Sequence, residues 1–456
     1  MVIKMRDLLL KKPPLGWNSY DAFDGTINEA HAMANLDVFI EKFKPAGYEY
    51  FVIDILWYRK YKNPQFNQYG LMVTTRDKSE VEWELDEYGR FIASPQYFPN
   101  GFDAIIKKCL DHGIKFGLHL MRGVPQEAVR RKCPIKGTDG ITCDMIANFD
   151  PEDACPWSTI NYGIDMTKPG ASEYYDSVME QMAEMGVDFI KYDDIEANAD
   201  EMEAIYQAID KVDRVMTLSL SLFSYHYMKK QIPLEVYAKS NMMRITHDIW
   251  DKQEHIDTSF EAWVQRSLQD KERPEWFFFD LDMIPFGHMR LNFGKTVDVE
   301  MADEANMTGE HWCAFTKPQM RTFITQRAMI GSPIFIGGNL PENDEYTNSV
   351  LLHQGMLECD QNGVVGHPVS KSGVWHIFRT MGKLDNEGYG WIGVFNRSDN
   401  CNQAEFSLER LGLMKNKAYQ LVDVWNETEV VLNENGKVVV NLEANDVLLL
   451  KYVMNE

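Results

Sequence analysis

The chain alternates between short, almost unbroken apolar runs and longer stretches in which apolar residues return every three or four positions. Buried parallel strands give the first pattern and amphipathic helices the second. Runs at 14–23, 48–57, 115–121, 187–195, 215–221, 241–249, 276–284 and 331–338 predict eight strands. Between them, 28–44, 100–112, 171–184, 199–211, 254–268 and 318–329 predict helices. Ala32, Leu36, Phe39, Ile40 and Phe43 share one face of the first, and Gly113 and Gly186 supply stop signals. Two long polar insertions, about 59–98 and 122–165, interrupt the rhythm.

Eight strands separated by helices predict an α/β fold built on a (β/α)8 barrel. An open doubly wound sheet is the structural alternative, but no GxGxxG follows any early strand. After a last helix at about 344–358 the texture changes. From Gly366 onward come short alternating segments at 374–378, 389–395, 418–425, 429–432, 437–441 and 447–452, punctuated by turn signals such as Asn435-Gly436. These predict a C-terminal antiparallel β-sandwich. The expected division is a catalytic barrel over 1–360 and a sandwich over 361–456. The sandwich carries no catalytic pattern and is expected to support the barrel.

Composition narrows the setting. Of 456 residues, 45% are apolar and 12% aromatic, ample for a large core. The net charge of −23 repels phosphate backbones and anionic lipid, so neither nucleic acid nor a membrane surface is an expected partner. The seven cysteines, at 109, 133, 143, 155, 313, 359 and 401, form no CxxC, and their odd number leaves at least one thiol free or paired between chains. The first twelve residues lack the apolar stretch of a secretory signal, and no apolar run approaches the ~20 residues of a membrane span. A cytoplasmic protein is expected, and a homo-oligomer is compatible with this pattern.

The chemistry gathers at the ends of the runs. Residues 187–195 read as a strand that stops in acids, with Lys191 and Asp193 on one side and Tyr192 and Asp194 on the other. A lysine beside an aspartate favours the ionised carboxylate, the state a carboxylate nucleophile needs. The pattern recurs. Asp54 closes the second run, His119 sits in the third, Ser219 and Ser221 in the fifth, Arg244, Thr246 and Asp248 at period two in the sixth, and Asp280 and Asp282 in the seventh. In a barrel these positions converge on one mouth. Like charges gathered there need cations, and Lys191 and Arg244 are available. Paired carboxylates with basic partners and nearby aromatics (Trp17, Tyr58, Trp250) suit sugar hydrolysis. A divalent-metal site built from Asp54, Asp193, Asp280 and Asp282 is the competing reading, although no HExxH or EF-hand spacing occurs.

In order along the chain, Pro13 to Tyr20 (PPLGWNSY), Val52-Ile-Asp54, Lys191-Tyr-Asp193, Arg244-Ile-Thr-His-Asp248, Asp280-Leu-Asp-Met283 and Ser332-Pro333 resemble glycoside hydrolase family 27, the α-galactosidases and α-N-acetylgalactosaminidases. The resemblance spans roughly 10–340, and the sandwich fits that family's second domain. It implies an exo-acting, retaining hydrolase of terminal α-D-galactosyl-type residues, with Asp193 as nucleophile and Asp248 as acid/base. Trp17, Asp54, His119, Lys191, Ser221, Tyr225, Arg244 and Asp282 would bind the sugar. It implies no metal or organic cofactor, and a small carbohydrate as partner.

Three departures from the family pattern stand out. Ile55 follows Asp54 where a second acid is usual, so a contact to the sugar's O4/O6 side is missing. His119 stands where the family has Tyr. Asp194 follows the nucleophile where Gly-Cys is typical, which removes the cystine that staples the mouth of secreted members. At the end of the fifth strand, Ser221 and Ser224, with Tyr225 beside them, leave room for a 2-acetamido group. An α-N-acetylgalactosaminidase using the same mechanism is therefore one alternative, and a non-catalytic carbohydrate-binding protein on the same fold is another.

Overall fold

A computed structural model describes residues 10–73, 78–155, 157–195, 199–221, 232, 234–293, 309–383 and 386–455. Eight strands form the barrel: β1 (Leu15–Asn18), β2 (Tyr50–Ile53), β3 (Lys115–Met121), β4 (Phe189–Asp193), β5 (Thr217–Ser221), β6 (Met242–Arg244), β7 (Phe278–Asp280) and β8 (Ile334–Ile336). Neighbours pair in parallel in the order β7-β6-β5-β4-β3-β2-β1-β8. Ile284, just beyond β7, closes the ring: its N–H donates to the Phe335 carbonyl at 2.8 Å and its carbonyl accepts from Gly337 N–H at 3.0 Å. Helices Glu29–Val38, Asp103–Asp111, Ala171–Met185, Ala199–Lys211, Gln253–Ser267 and Lys317–Ile330 lie among the strands in sequence, as the apolar periodicity requires.

The strands are shorter than their apolar runs, and the difference matters for the site. The sixth run continues to Ile249, but β6 ends at Arg244. Ile245 N–H still donates to the Asp280 carbonyl at 2.8 Å, but the chain then leaves the sheet and Ile249 is buried by loop packing, so the period-two phase does not carry from Arg244 to Asp248. The seventh run continues past Asp280, yet Asp282 adopts a left-handed backbone (φ +73) and is not on the Asp280 face of a strand. At the first strand, the stretch after Asn18 forms a helical turn, Tyr20–Phe23.

The insertion at 59–98 holds a hairpin of Arg59–Tyr61 with Val81–Trp83. The second insertion forms a helix, Gln126–Arg131, and a small antiparallel sheet in which Asn161–Ile164 pairs with both Val124–Pro125 and Ala147–Asn148. The C-terminal module has a six-stranded antiparallel sheet, in the order His367–Ser372, Trp375–Gly382, Asn386–Asn396, Val447–Met454, Tyr419–Asp423, Thr428–Glu429. A second pair, Asn402–Ser407 with Lys437–Leu442, faces it. The barrel helices Gln253–Ser267 and Lys317–Ile330 pack on this module. Trp263 stacks on Phe378 at 3.9 Å and donates its indole N–H to the Gly366 carbonyl at 2.7 Å, and Thr380 Oγ1 donates to the Met329 carbonyl at 2.8 Å. All seven cysteines are unpaired thiols. Among the described residues no helix is long and apolar enough to cross a membrane.

Candidate active site

The carboxyl ends of the strands open into a cavity of about 270 Å3, in the size class of a pocket for one small molecule. Its wall includes Asp54, Lys191, Asp193, Ser221, Arg244, Asp248 and Asp282, so seven of the residues singled out in the sequence meet there. Strand register explains the meeting: Met121 and Ser221 pair with Asp193 on either side, and Arg244 pairs with Asp280.

At the floor, Lys191 Nζ donates to Asp54 Oδ2 at 2.9 Å, and Asn18 Nδ2 donates to the same oxygen at 2.6 Å. Burial alone would raise the Asp54 carboxyl; Lys191 and His119 override it and hold its pKa below the usual range. Asp193 receives a hydrogen bond from His119 Nε2 to Oδ2 at 2.8 Å, and its Oδ1 accepts none from any described residue. Burial again opposes ionisation. The charges of Lys191 and Arg244 and the proximity of His119 outweigh it and keep Asp193 ionised well below the ordinary carboxylate range. Lys191 thus acts on Asp193 through space while bonding directly to Asp54. Burial would lower the lysine, but the two carboxylates raise its pKa above the usual value.

The opposite wall is built on Arg244. Its Nη1 lies 2.7 Å from Asp248 Oδ1 and 3.8 Å from Asp282 Oδ1. Ile249 N–H donates to Asp282 Oδ2 at 2.8 Å, so the left-handed Asp282 orients the loop that carries Asp248. Asp248 stands at the mouth with its side chain 59% exposed, whereas Asp54 is 1% exposed.

Two expected sugar contacts lie elsewhere. Trp17 is fully buried, stacked on Phe51 at 4.6 Å, with its indole N–H donating to the Gly338 carbonyl at 2.9 Å. The period-two phase of β1 turns Asn18 toward the barrel interior and Trp17 toward the helices. The aromatic residues that line the pocket are Tyr20, Trp157 and Trp250. His119 is also fully buried and does not line the cavity. It sits in the same layer as Lys191, two residues before the strand end, and its ring reaches only as far as the nucleophile candidate. Because Asp193 is ionised, Nε2 carries the proton, and Nδ1 is left without a partner among the described residues. Tyr58 is likewise buried, stacked on Phe91 at 3.7 Å. Tyr225 and Ser224 lie outside the described residues.

Several wall residues were not singled out as site residues: Asp21, Trp157, Asp194, Ile249 and Met283. Asp21 follows the tryptophan motif inside a helical turn, where strand periodicity gives no signal. Its carboxyl packs on Gly337, where a Cβ would fall 2.0 Å from Oδ2. Ile55 lines the wall beside Asp54 and packs with Met121 and Cys155. No cluster of three or more His, Cys, Asp or Glu suited to a metal ion occurs among the described residues.

Carboxylates held ionised by a buried lysine and arginine, at the mouth of a (β/α)8 barrel with aromatic walls, define a glycosidase. The alpha galactosidase C-terminal beta sandwich domain matches residues 381–452. A β-L-arabinopyranosidase of glycoside hydrolase family 27 from Geobacillus stearothermophilus is 30% identical, with 98% of each chain covered and a TM-score of 0.81. Alpha-galactosidase 2 of Arabidopsis thaliana is 20% identical over 93% of this chain and 85% of its own. The alpha-N-acetylgalactosaminidase of Gallus gallus is 21% identical over 96% and 90%. The chain belongs to glycoside hydrolase family 27, and its substrate is a small carbohydrate.

Proposed function

We propose that the enzyme is an exo-acting retaining glycosidase for terminal sugars of α-galacto ring configuration, with Asp193 as nucleophile and Asp248 as acid/base. The observation that carries this reading is the contrast between the two carboxylates. Asp193 is enclosed, anchored through one oxygen by His119 and kept ionised by Lys191 and Arg244. Asp248 is open to the mouth, where a glycosidic oxygen arrives. In the first step Asp193 attacks C1 while Asp248, in its acid form, protonates the departing oxygen. In the second, Asp248 takes a proton from water, which attacks C1 and releases Asp193. Asp54, Lys191 and Asp282 hold the sugar hydroxyls, and Arg244 orients Asp248.

Ile55 bears on which sugar. An aliphatic side chain packed against Met121 and Cys155 offers no hydrogen bond to a hydroxymethyl group at C5. β-L-Arabinopyranosides share the ring stereochemistry of α-D-galactosides and lack only that group. The wall at Ile55 therefore favours the pentopyranoside, in keeping with the name of the Geobacillus relative. Ser221 leaves space on another wall, which is the observation in favour of a 2-acetamido sugar. The unpaired thiols support a cytoplasmic enzyme.

The test is nitrophenol release from the β-L-arabinopyranoside, α-galactoside, α-N-acetylgalactosaminide and α-glucoside, with wild type beside Asp193→Asn. Turnover led by the arabinopyranoside, lost in the variant, and NMR showing net retention at C1 are expected. Inversion, or turnover surviving in Asp193→Asn, refutes the mechanism; an α-galactoside lead refutes the role given to Ile55.

A further inference from the structure

The insertion between β3 and β4 belongs to no part of the reaction described so far, yet it is tied to the nucleophile. Arg122, the residue after β3, is buried and acts as the tie. Its backbone N–H donates to the Asp193 carbonyl at 3.1 Å. Its Nε donates to the Asp194 carbonyl at 2.8 Å, and Nη2 lies 3.0 Å from Asp194 Oδ2. The same guanidinium reaches into the insertion: Nη1 lies 3.2 Å from Asp153 Oδ1, and Nη2 donates to the Asp153 carbonyl. Nη1 also pairs with Glu201 at 2.8 Å. From the other side, Cys155 is buried against Ile55, which lines the sugar pocket, and Met121, which pairs with Asp193 across the strands. The stretch 153–155 is thus fixed by a buried charge network and an apolar seat.

What this anchoring delivers is Trp157. The tryptophan lines the pocket yet is 40% exposed. A sugar engaged by Asp54, Lys191 and Asp193 lies at the enclosed floor, so whatever is attached at C1 must leave through the mouth. The mouth is marked by the wall residues that remain open to solvent, Asp248 and Trp157. Aromatic faces offer rings a large, rigid stacking surface at small entropic cost.

We propose that Trp157 is the platform of a leaving-group subsite, on which the ring next to the scissile bond stacks. The enzyme then prefers glycosides whose leaving group is a second sugar or an aryl ring over those with a small leaving group. This rests on the hydrolytic reading given above.

The test compares three leaving groups on one sugar: β-L-arabinopyranosyl fluoride, the methyl glycoside and the 4-nitrophenyl glycoside, with the α-galactosyl series run in parallel. The intact enzyme is assayed as wild type, Trp157→Ala and Trp157→Phe. For Trp157→Ala, kcat/KM on the nitrophenyl glycoside falls about tenfold or more, mostly through KM, while the fluoride and methyl glycoside stay within about twofold. Inhibition by the free sugar, which occupies only the floor, is unchanged. Trp157→Phe recovers most of the loss. An equal fall on all three substrates, or no fall on the nitrophenyl glycoside, overturns the platform while leaving the hydrolase reading standing. Silence of the wild type on every substrate of both series overturns that reading and the platform with it.

Discussion

Asp280→Asn should stabilise the enzyme in alkaline solution and do nothing in acid. The Asp280 carboxyl accepts the Asp282 N–H at 2.8 Å and is raised to about 7. Burial is the main cause and the Asp282 carboxylate the second, with Arg244 and Arg327 pulling the other way. In the unfolded chain an aspartate titrates near 3.9. Between about pH 4 and about pH 7 the folded protein therefore holds a proton that the unfolded chain has released. More protons bound in the native state means stability falls as pH rises through that window and stays lower above it. About three pK units at ~1.4 kcal/mol each set a ceiling of roughly 4 kcal/mol. Because Asp282 titrates beside it and the residue keeps some solvent contact, about 2 kcal/mol is the figure to expect. Asparagine keeps the acceptor oxygen and removes the charge. At about 2.1 cal/mol/K per residue, a chain of this length has an unfolding entropy of ~1 kcal/mol/K, so the variant should melt about 2 °C higher at pH 8 and together with wild type near pH 4. Calorimetric scans of both proteins between those limits decide it. Parallel curves across the range, or a variant less stable at pH 8, would refute the assignment of the proton to Asp280.

Three further outcomes are expected. His119→Phe removes the donor that aligns Asp193; a hydrogen bond to a charged group is worth ~1.5–3 kcal/mol, so kcat should fall about tenfold to a hundredfold with little change in KM, and His119→Gln should recover part of it. An unchanged kcat in steady-state assays would remove His119 from the alignment of Asp193. Burial and the Asp282 carboxylate hold Asp21 well above the usual carboxylate range, which favours its neutral acid form. Asp21→Asn should then keep kcat/KM within about twofold at pH 6–7, and a loss beyond tenfold would show that an ionised Asp21 is needed. Trp263→Ala opens a cavity where the barrel meets the sandwich and should cost about 3–5 kcal/mol, read as a lower denaturant midpoint; a shift below about 1 kcal/mol would mean the contact is not part of the core.

The barrel was legible because parallel buried strands leave apolar runs that helices cannot imitate at that spacing, and β3 came out at 115–121 as its sequence predicts. Asp54, Lys191, Asp193, Arg244 and Asp282 were legible because each lies at or just past the end of such a run. The errors have a common physical origin. At Trp17 the apolar run gives no phase, since both faces of a barrel strand are buried, and only the Asn18–Asp54 contact reveals which side faces in. Past Arg244 and Asp280 the runs continue into segments that bury Ile249 and Leu281 without strand pairing, so strict alternation projects strand phase where the backbone has already turned. Asp21 and Trp157 enter the pocket from a helical turn and from an insertion, and neither has a period that sequence can project.

The aromatic seam between the barrel and the C-terminal module also bears on how such chains diversify. Phe260 lies 4.9 Å from Phe395 and Trp263 3.9 Å from Phe378, and Arg321 pairs with Asp446 at 2.8 Å. The helix that bears Phe260 and Trp263 begins at Gln253, five residues after Asp248. The module is therefore no detachable cassette. Recombination that joined this barrel to a foreign partner would strip the cover from two large aromatics and loosen the helix next to the mouth loop. Barrel and sandwich are bound to travel through evolution as one inherited unit, with innovation confined to the loops above the strands.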